Sequence, residues 1–576
     1  MNGTGARLNW AQHALRRGSE DAVALVCLQE GGRPARKITF GALRRSVASA
    51  AGWLRRAGVR SGDRVAAYLP NTEHAVIGCL AAASVGAVWA CCSPDFGAEG
   101  TIGRLAQLKP TVLIAADGYH WHGKDVDRGD VIAALREQLP TLRHFVHVRY
   151  LFDRPPPPGS TPWEELVAGD ESPVFELVEF SHPLWVLFSS GTTGLPKGLV
   201  HGHGGITLEG LKWAGLYAGL RSCERIFTYT STGWALWNIQ INALMQGASL
   251  VLFEGSPGHP AGAVWKVAAR TGAQVMLLGA AVITATAHAG VSPRQQGRDL
   301  SRLRHVLVSG SALPSADYRW VMDHVSPDLR IDSTSGGTDI SGSFVGANEH
   351  SPVRIGRIGG ILAGVDCAAW DEIGQPVIDS VGDLVVTQPM PSMPVSLWND
   401  PDSLHYTESY FETWPGVWRH GDWVTMHSDG SISVHGRSDA TLNRQGVRLG
   451  SADFYDVLET MPEITETLVV GIDLPDDGYW LGLFVVPAPG VVLDDALEHR
   501  IVTTLRARLT ARHVPDEIVE APAIPHTLTG KRLEVPIKKM LAGHPLERAA
   551  NIASVDDPDA LRWFEQFAAD RFPPAG

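Results

Sequence analysis

The sequence lacks an excess of basic charge, and it lacks the cysteine spacing of a metal or redox site. Its 49 Lys and Arg residues are outnumbered by 62 Asp and Glu residues, which gives a formal net charge of −13. Binding along a nucleic-acid backbone requires a basic face, so the composition argues against a nucleic-acid partner. None of the six cysteines stands in a C-x-x-C pair. This spacing predicts buried thiols in a reducing compartment and no structural metal.

The sequence also lacks a secretory signal and a strongly apolar run of membrane-spanning length. Residues 1–10 contain no basic region followed by an apolar stretch. The uncharged run at residues 75–93 approaches the length of a membrane span, but most of it is Ala, Gly, Ser and Cys. We therefore predict a helix buried against a sheet layer in this run. The protein is predicted to be soluble and cytoplasmic, with no membrane partner.

What is present is an α/β pattern in two unequal parts. Short β-branched or leucine-rich runs alternate with helix-like stretches, which is typical of parallel sheets with helical crossovers. The runs include residues 64–68, 112–115, 186–188, 249–253, 275–278 and 306–309. From Gly382 the pattern changes to strands and turns, and after Asp439 a smaller α/β pattern begins. Because 576 residues exceed one usual core, we predict a large N-terminal domain, residues 1–436, and a small C-terminal domain, residues 437–576.

The most informative segment is a loop rich in glycine and hydroxyl residues that follows a predicted strand. It reads SSGTTGLPKG, from Ser189 to Gly198. Glycine lets a backbone approach a ligand closely, and hydroxyls with backbone N–H groups form a donor surface for anionic oxygens. Lys197 adds a positive charge at the end of the loop. The pattern differs from the Walker loop, which ends in Gly-Lys-Ser/Thr, and it predicts a phosphate site.

This loop strongly resembles the signature of the adenylate-forming superfamily, which includes acyl-CoA synthetases and nonribosomal adenylation domains. Further signatures of that superfamily follow in the expected order along the chain. They are Thr232-Gly233-Trp234, Ser309-Gly310-Ser311, Gly337-Thr338-Asp339, Gly421-Asp422, Gly436-Arg437-Ser438-Asp439 and Thr529-Gly530-Lys531. A single glycine-rich loop is a weak signal, whereas six ordered signatures are a strong one. The resemblance implies a large adenylation (AMP-binding) domain with layered β-sheets and helices, and a small α/β lid.

The resemblance also implies a role for each matching residue, with ATP, Mg²⁺ and CoA as the cofactors. The catalytic residues are Lys531, Thr338 and Asp339, and Asp339 also helps to hold magnesium, through water because it is shorter than the usual Glu. Gly446 lines the CoA path and Asp439 is the hinge between the domains. Nucleotide-binding residues are Ser189, Ser190, Gly191, Thr192, Thr193, Gly194, Lys197, Gly310, Ser311, Asp422, Arg437 and Arg448. A carboxylate such as Asp422 accepts both ribose hydroxyls, and a guanidinium such as Arg437 presents a forked donor.

Other stretches more specifically resemble the acetoacetyl-CoA synthetases, which makes acetoacetate the predicted acid. They include ADGYHWHGK, VHGHGG, TSTGWALWN, PMPSMPV and HTLTGKRLEV. Acetate-activating relatives carry a pocket tryptophan where this chain has Gly336, so we predict room for a larger acid and a shift towards acetate in Gly336→Trp. Trp234, Ala235 and Leu236 are predicted to form the other wall. His201 and His203 form an H-x-H pair without a third apparent ligand, and we predict a structural role for both.

The sequence departs from the pattern of the resembling enzymes at two places, so other functions remain as alternatives. The resembling enzymes carry an extra segment before the stretch that matches residues 5–9, so the N-terminus is predicted to be shortened. Residues 351–363 carry Arg357 and glycines where the relatives are usually acidic. An adenylate-forming ligase for another small acid therefore remains an alternative. So does an enzyme that loads the pantetheine thiol of a carrier protein, which would share the first half-reaction. The sequence leaves the oligomeric state undetermined.

Overall fold

The computed structural model describes residues 5–189, 196–310, 313–438, 442–444, 447–474, 478–528 and 530–572. Two large sheets occupy the first three quarters of the chain. The first sheet has eight strands, in the spatial order Ser160–Pro162, His144–Val148, Val112–Ala116, Arg64–Tyr68, Val88–Cys92, Pro183–Ser189, Lys197–Gly202 and Ser396–Leu397. The first six strands pair in parallel and the last two pair antiparallel. The predicted strands at residues 64–68, 112–115 and 186–188 are confirmed.

The second sheet has seven strands and supplies much of the remaining α/β layer. Its spatial order is Arg330–Ser333, His305–Ser309, Val275–Gly279, Arg225–Thr228, Ser249–Glu254, Val23–Gln29 and Arg36–Thr39. All neighbours are parallel except the final pair. One hydrophobic core contains residues of both sheets together with the helix Glu73–Val85. The predicted α/β layering is therefore confirmed.

The uncharged run at residues 75–93 contains the predicted buried helix and, after it, a strand. The helix Glu73–Val85 is buried almost throughout, but it ends at Gly86, whose φ of 77° lies in the left-handed region. Glycine adopts that conformation without a Cβ penalty, which makes it a natural helix stop. The chain then turns directly into the strand Val88–Cys92. Within the described residues, no helix has the length and apolarity needed to cross a membrane.

Helices cover the sheets, and several of them connect parallel strands. Up to residue 411 they are Trp10–Leu15, Phe40–Arg56, Glu73–Val85, Ala98–Leu108, Gly129–Gln138, Trp163–Val167, His203–Lys212, Ala235–Ile241, Ala263–Thr271, Ala280–His288, Ser315–His324 and Leu404–Phe411. Beyond residue 450 they are Ser451–Leu458, Asp495–Arg508, Glu534–Leu541, Leu546–Ala549 and Pro558–Arg571. Residues 155–158, the four consecutive prolines, lie between elements, as predicted.

Antiparallel sheets follow the two large ones and carry several of the predicted site residues. One has four strands, Cys367–Trp370, Val381–Val386, Trp418–Met426 and Ile432–Arg437. Another has three, Ser335–Gly337, Gly342–Gly346 and Gly360–Ile361. Two-stranded pairs are Arg7–Leu8 with Val178–Glu179, Gly118–Trp121 with Lys124–Asp127, and Leu442–Arg444 with Val447–Leu449. The predicted change to strands and turns near Gly382 is confirmed.

The C-terminal part has a sheet and cores of its own. Its strands are Ile464–Leu474, Gly478–Pro487 and Glu517–Glu520. Two hydrophobic clusters consist only of residues at or beyond Leu442, which is how an independent domain packs. The helix Asp495–Arg508 is followed by a short 3₁₀ turn, which the Thr510 side chain caps. The boundary at residue 437 stays a prediction, because Asp439 lies outside the described residues.

Candidate functional site

The phosphate-loop signature lies between two antiparallel strands of the first sheet. Ser189 ends the strand Pro183–Ser189 and pairs with Lys197, which begins the next strand. The exposed Lys197 ammonium donates a hydrogen bond to Ser409 Oγ at 2.7 Å. Lys197 therefore links the start of the strand Lys197–Gly202 to the helix Leu404–Phe411. Residues 190–194 (Ser190, Gly191, Thr192, Thr193 and Gly194) lie outside the described part of the chain.

Asp339 lies in the short 3₁₀ turn Thr338–Ile340, directly after a strand of the three-stranded sheet. The Tyr410 hydroxyl donates a hydrogen bond to Asp339 Oδ1. Burial raises the pKa of the Asp339 carboxyl, but His420, the Tyr410 hydroxyl and Arg437 outweigh this effect and hold the pKa below its usual range. Asp339 is therefore an ionised carboxylate at neutral pH.

The two histidines of the H-x-H pair serve the structure around Asp339. The His201 ring donates its Nε2 proton to the backbone carbonyl of Asp339, with a distance of 2.9 Å. The His203 ring accepts the backbone N–H of Trp10 at 3.2 Å. Burial lowers the pKa of His201 to about 4 and that of His203 to about 3, so both rings are neutral. These contacts match the predicted structural role.

Asp422 and Arg437 face each other on neighbouring strands of the four-stranded sheet. Arg437 Nη1 lies 3.3 Å from Asp422 Oδ1 and 3.3 Å from the His420 carbonyl oxygen. Gly421, with φ of 85°, allows this approach, because a Cβ there would lie 2.9 Å from the guanidinium. The Asp422 side chain is nearly buried while that of Arg437 is half exposed. We call Asp339, Asp422 and Arg437 the carboxylate platform.

Lys531 comes from the C-terminal part but lies in the electrostatic field of this platform. Burial lowers the pKa of its ammonium, Asp422 and Asp339 act to raise it, and Arg437 acts to lower it. The adjoining Gly530 is close to the N-terminal part, since a Cβ on it would lie 3.6 Å from Ala281 Cβ. Residues almost two hundred positions apart therefore meet around one site, which proximity in sequence does not suggest.

The three residues predicted to form one wall of the acyl pocket differ in how exposed they are. Trp234 is half-buried, and its ring lies 3.5 Å from the position a Cβ would take on Gly310. Gly310 has φ of 97°, so the strand end can approach the indole without a side chain between them. Ala235 and Leu236 belong to the main hydrophobic core, with 5% and 6% of their surfaces exposed. Of these three residues, Trp234 is the one whose side chain is exposed enough to contact a substrate.

The structure corrects the reasoning about Gly336. A Cβ at this residue would lie 2.1 Å from the backbone oxygen of Gly342 and 2.5 Å from Ser343 Cα. Real Cβ atoms do not approach backbone so closely, so any larger residue here must displace the neighbouring strand. Gly336 therefore meets a packing requirement of the hairpin between Ser335–Gly337 and Gly342–Gly346. Its missing side chain does not leave open space in the direction of its Cβ, and the prediction for Gly336→Trp is revised accordingly.

Four further predicted residues fall wholly or partly outside the described structure. Ser311, Asp439 and Gly446 lie outside the described residues. Arg448 has a described backbone in the strand Val447–Leu449, but its side chain is not described. Their roles remain predictions.

Sequence reasoning missed Tyr410 and His420, the two side chains that hold the platform together. Tyr410 stacks on Trp418 with ring centroids 3.6 Å apart and bonds Asp339. His420 packs against Phe344 and lies 3.7 Å from Asp422 Oδ2. The proximity of His420 to the Gly421-Asp422 signature was a usable signal. Tyr410 had none, because its helix lies 71 residues from Asp339 in sequence.

Comparisons with known proteins match this chain to one family of enzymes. The model of the AMP-binding enzyme family matches residues 11–393, and that of the AMP-binding enzyme C-terminal domain matches residues 456–531. An acetoacetyl-coenzyme A synthetase of Rhizobium meliloti is 40% identical and covers 97% of this chain and 86% of the relative. An acetoacetyl-CoA synthetase of Gallus gallus is 37% identical, covering 96% of this chain and 85% of the relative.

Solved structures show the same likeness in three dimensions. An acetoacetyl-CoA synthetase from Streptomyces lividans superposes with a TM-score of 0.94 at 50% identity, covering 98% of this chain and 87% of that one. An anthranilate CoA ligase solved with anthranoyl-AMP superposes with a TM-score of 0.78 at 21% identity, covering 91% and 96%. The second likeness shows the fold alone.

Proposed function

Because the chain belongs to the AMP-binding enzyme family, we propose that it is an ATP-dependent acid–CoA ligase whose substrate is acetoacetate. The observation that carries the proposal is the meeting of Lys531 with Asp339, Asp422 and Arg437. Relatives that span nearly the whole chain at 36–50% identity are acetoacetyl-CoA synthetases, which supports the choice of acid.

In the first half-reaction, a carboxylate oxygen of acetoacetate attacks the α-phosphorus of ATP and pyrophosphate leaves. Negative charge builds on the α-phosphate oxygens, and a positioned cation is the most effective way to stabilise it. Lys531 supplies that cation, and Thr338 contacts the same phosphate. Ser189, Lys197 and the loop 190–194 bind the outgoing phosphates. Asp422 and Arg437 hold the ribose, while Gly310 and Ser311 lie against adenine.

The carboxylate at Asp339 fits a magnesium ion. Mg²⁺ prefers hard oxygen ligands and keeps several waters, so one ionised carboxylate suits it. The lowered pKa of Asp339 keeps that ligand charged, and Tyr410 bonds only one of its two oxygens. A magnesium ion held there would supply positive charge to neutralise the ATP phosphates. Asp339 would hold it, and Tyr410 orients Asp339.

In the second half-reaction, the thiol of CoA attacks the acyl carbonyl, the thioester bond forms, AMP leaves and the thiol proton passes to solvent. Lys531 has no role in that step, so the proposal includes rotation of the C-terminal domain at Asp439 to withdraw it. Gly446 would then line the path of the thiol, and Arg448 would meet the phosphates of CoA. The division at residue 437 and the hinge are part of this proposal. The six unpaired cysteines support a reducing, cytoplasmic location.

The test is ATP–pyrophosphate exchange across acetate, propionate, acetoacetate and 3-hydroxybutyrate, followed by addition of CoA and mass detection of the product. We expect acetoacetate to give the highest kcat/KM for exchange and acetoacetyl-CoA as the product. Faster exchange with another acid would transfer the proposal to that acid. Exchange without CoA consumption would favour transfer to a carrier protein, and no exchange with any acid would reject the function.

A further inference from the structure

The lysine of the proposed site is carried on a short hairpin whose described residues, 526–528 and 530–532, we call the Lys531 hairpin. His526 and Arg532 pair across its base in an antiparallel bridge. The backbone N–H of Thr527 donates to the Lys531 carbonyl at 2.8 Å, and the Lys531 N–H donates to Thr527 Oγ1 at 3.1 Å. These bonds tie the backbone of Lys531 to the base of the hairpin. Whatever holds the base therefore sets the position from which the Lys531 side chain departs.

His526 anchors one leg of the base through both of its ring nitrogens. Nε2 lies 2.7 Å from Glu466 Oε1, and Nδ1 lies 3.5 Å from Asp556 Oδ2. The backbone N–H of His526 also donates to Asp556 Oδ1 at 2.7 Å. Burial lowers the pKa of His526, but the bonds to Asp556 and Glu466 outweigh it and raise the pKa to about 9. The ring is therefore a cation at neutral pH, with a carboxylate on each side.

Arg532 anchors the opposite leg and shares a carboxylate with His526. Its guanidinium is bonded to Glu459 and lies 4.1 Å from the Tyr455 ring centroid. Its Nε lies 3.8 Å from the same Glu466 oxygen that contacts His526. Two cations directly across a strand pair repel each other. Glu466 lies between them, so its charge turns that repulsion into attraction and holds the two legs together.

The anchoring residues lie on the strand Ile464–Leu474, the helix Ser451–Leu458 with its end at Glu459, and the segment before Pro558. All of them belong to the C-terminal part, whereas Asp339 and Asp422, which Lys531 faces, belong to the N-terminal part. The base of the hairpin thus determines where the lysine points when the two parts are together.

We propose that His526 and Glu466 are a positioning pair that fixes the direction of Lys531 for adenylate formation. The inference rests on the proposed function, because it assigns the pair to the half-reaction that uses Lys531. Neither residue touches a reacting atom. A misplacement of about 1 Å at a catalytic group reduces a rate by up to about 100-fold, so a small shift of the hairpin is sufficient for a measurable effect.

The test compares His526→Gln, His526→Ala and Glu466→Gln with a matched control, His513→Gln. His513 is also a histidine of the C-terminal part, hydrogen-bonded to Thr510 at 2.9 Å and within 4.0 Å of Asp453. For the first three variants we expect the kcat of ATP–pyrophosphate exchange to fall by about 10- to 100-fold, with alanine the most severe. The KM for ATP and the thiolysis of supplied acetoacetyl-adenylate by CoA should stay within about twofold of the wild type. The control should retain both half-reactions.

Several results would overturn the inference. Unchanged exchange in His526→Gln and Glu466→Gln would show that the pair does not position Lys531. An equal loss of exchange and thiolysis would show a purely structural role. If the histidine variants do not fold, as judged by thermal unfolding, Glu466→Gln decides, because the glutamine retains the size of the side chain. The assay uses whichever acid the wild type activates, so a wrong acid leaves the test intact, while a wild type without exchange rejects the proposed function itself.

Discussion

The carboxylate platform and the Lys531 hairpin are the two halves of one site, and they are built in different ways. The platform is embedded in antiparallel sheets, and its charges are held by buried partners such as Tyr410 and His420. The hairpin projects from the C-terminal part and is held by a network of ion pairs around Glu466. The first half is fixed by packing, while the second is fixed by charge.

Contacts outside the platform also join the N-terminal and C-terminal parts of the chain. Gly530 approaches Ala281, and Asp456 Oδ1 accepts the backbone N–H of Ser315 at 3.0 Å. The C-terminal part nevertheless has two hydrophobic clusters made only of its own residues. This division suits an enzyme that must bring a lysine to the site for one half-reaction and remove it for the next. The following predictions test the division, from the largest expected effect to the smallest.

Lys531→Ala should affect one half-reaction only. We expect ATP–pyrophosphate exchange to fall by about 10²- to 10³-fold or more, because the charge that stabilises the transition state is lost. Thiolysis of supplied acetoacetyl-adenylate should stay within about threefold of the wild type. The control is Lys538→Ala, which removes a lysine from the helix Glu534–Leu541 of the same part. Equal losses in both half-reactions would contradict the assignment of Lys531.

Asp422→Ala should weaken the platform side of the site, with the KM for ATP as the readout. Hydrogen bonds to a charged group contribute about 1.5–3 kcal/mol, which corresponds to a rise in KM of about 10- to 100-fold. Asp429→Ala is the matched control, since Asp429 is a surface carboxylate paired with Arg354 at 3.1 Å. An exposed pair contributes little, and its loss should leave the KM within about twofold. An unchanged KM in Asp422→Ala would remove this residue from the ribose site.

Tyr410→Phe should reduce exchange by about 10-fold and change its pH dependence, because Asp339 loses a hydrogen-bond donor to its charged form. The pKa of Asp339 is lowered in the wild type, so the active, ionised form persists as the pH falls. Without the hydroxyl that pKa rises, and the acid limb of the exchange profile should move to higher pH. Tyr406→Phe is the control, since its hydroxyl bonds the Pro394 carbonyl at 3.2 Å. Identical acid limbs in the wild type and Tyr410→Phe would exclude this role.

Gly336→Ala should destabilise the N-terminal part without a gain in activity towards acetate. The new methyl group meets the backbone of Gly342 and Ser343, and overpacking costs about 1–3 kcal/mol. We expect a lower thermal unfolding midpoint, and an insoluble or unfolded protein for Gly336→Trp. Gly258→Ala is the control, because no atom lies within 4 Å of its Cβ position. A stable Gly336→Trp that prefers acetate would restore the pocket interpretation.

Asp456→Asn should have the smallest effect and should act on docking alone. The carboxylate bonds the first N–H of the helix Ser315–His324, whose own preceding residue supplies no side-chain cap. A negative charge at a helix N-terminus contributes about 0.3–1 kcal/mol, so we expect exchange to fall by about two- to fivefold relative to thiolysis. Asp495→Asn, in the first turn of the helix Asp495–Arg508, should leave the ratio unchanged. A ratio unaffected in Asp456→Asn would show that this contact does not favour the docked state.

Local patterns predicted six strands of the two large sheets and the order of the signatures, because both depend on residues close in sequence. At Gly86, whose φ lies in the left-handed region, a single glycine ends the predicted helix inside an uncharged run. The prediction of open pocket space at Gly336 was wrong. A glycine in the sequence shows only that the position has no side chain. The structure shows that a neighbouring strand occupies the place that a side chain would take.

The sequence by itself determined the family, the α/β architecture and the residue types available for chemistry at each signature. The architecture follows from local patterns and the family from the resemblance of the ordered signatures. Both can be recognised without knowledge of the fold. Only the tertiary structure decided the ionisation states of the site residues. Tyr410 reaches Asp339 across 71 residues and Glu466 links His526 to Arg532, because folding brings together groups that no local pattern connects. The pKa of each group depends on those distant neighbours and on burial, so the charges of the site residues are determined by the tertiary structure.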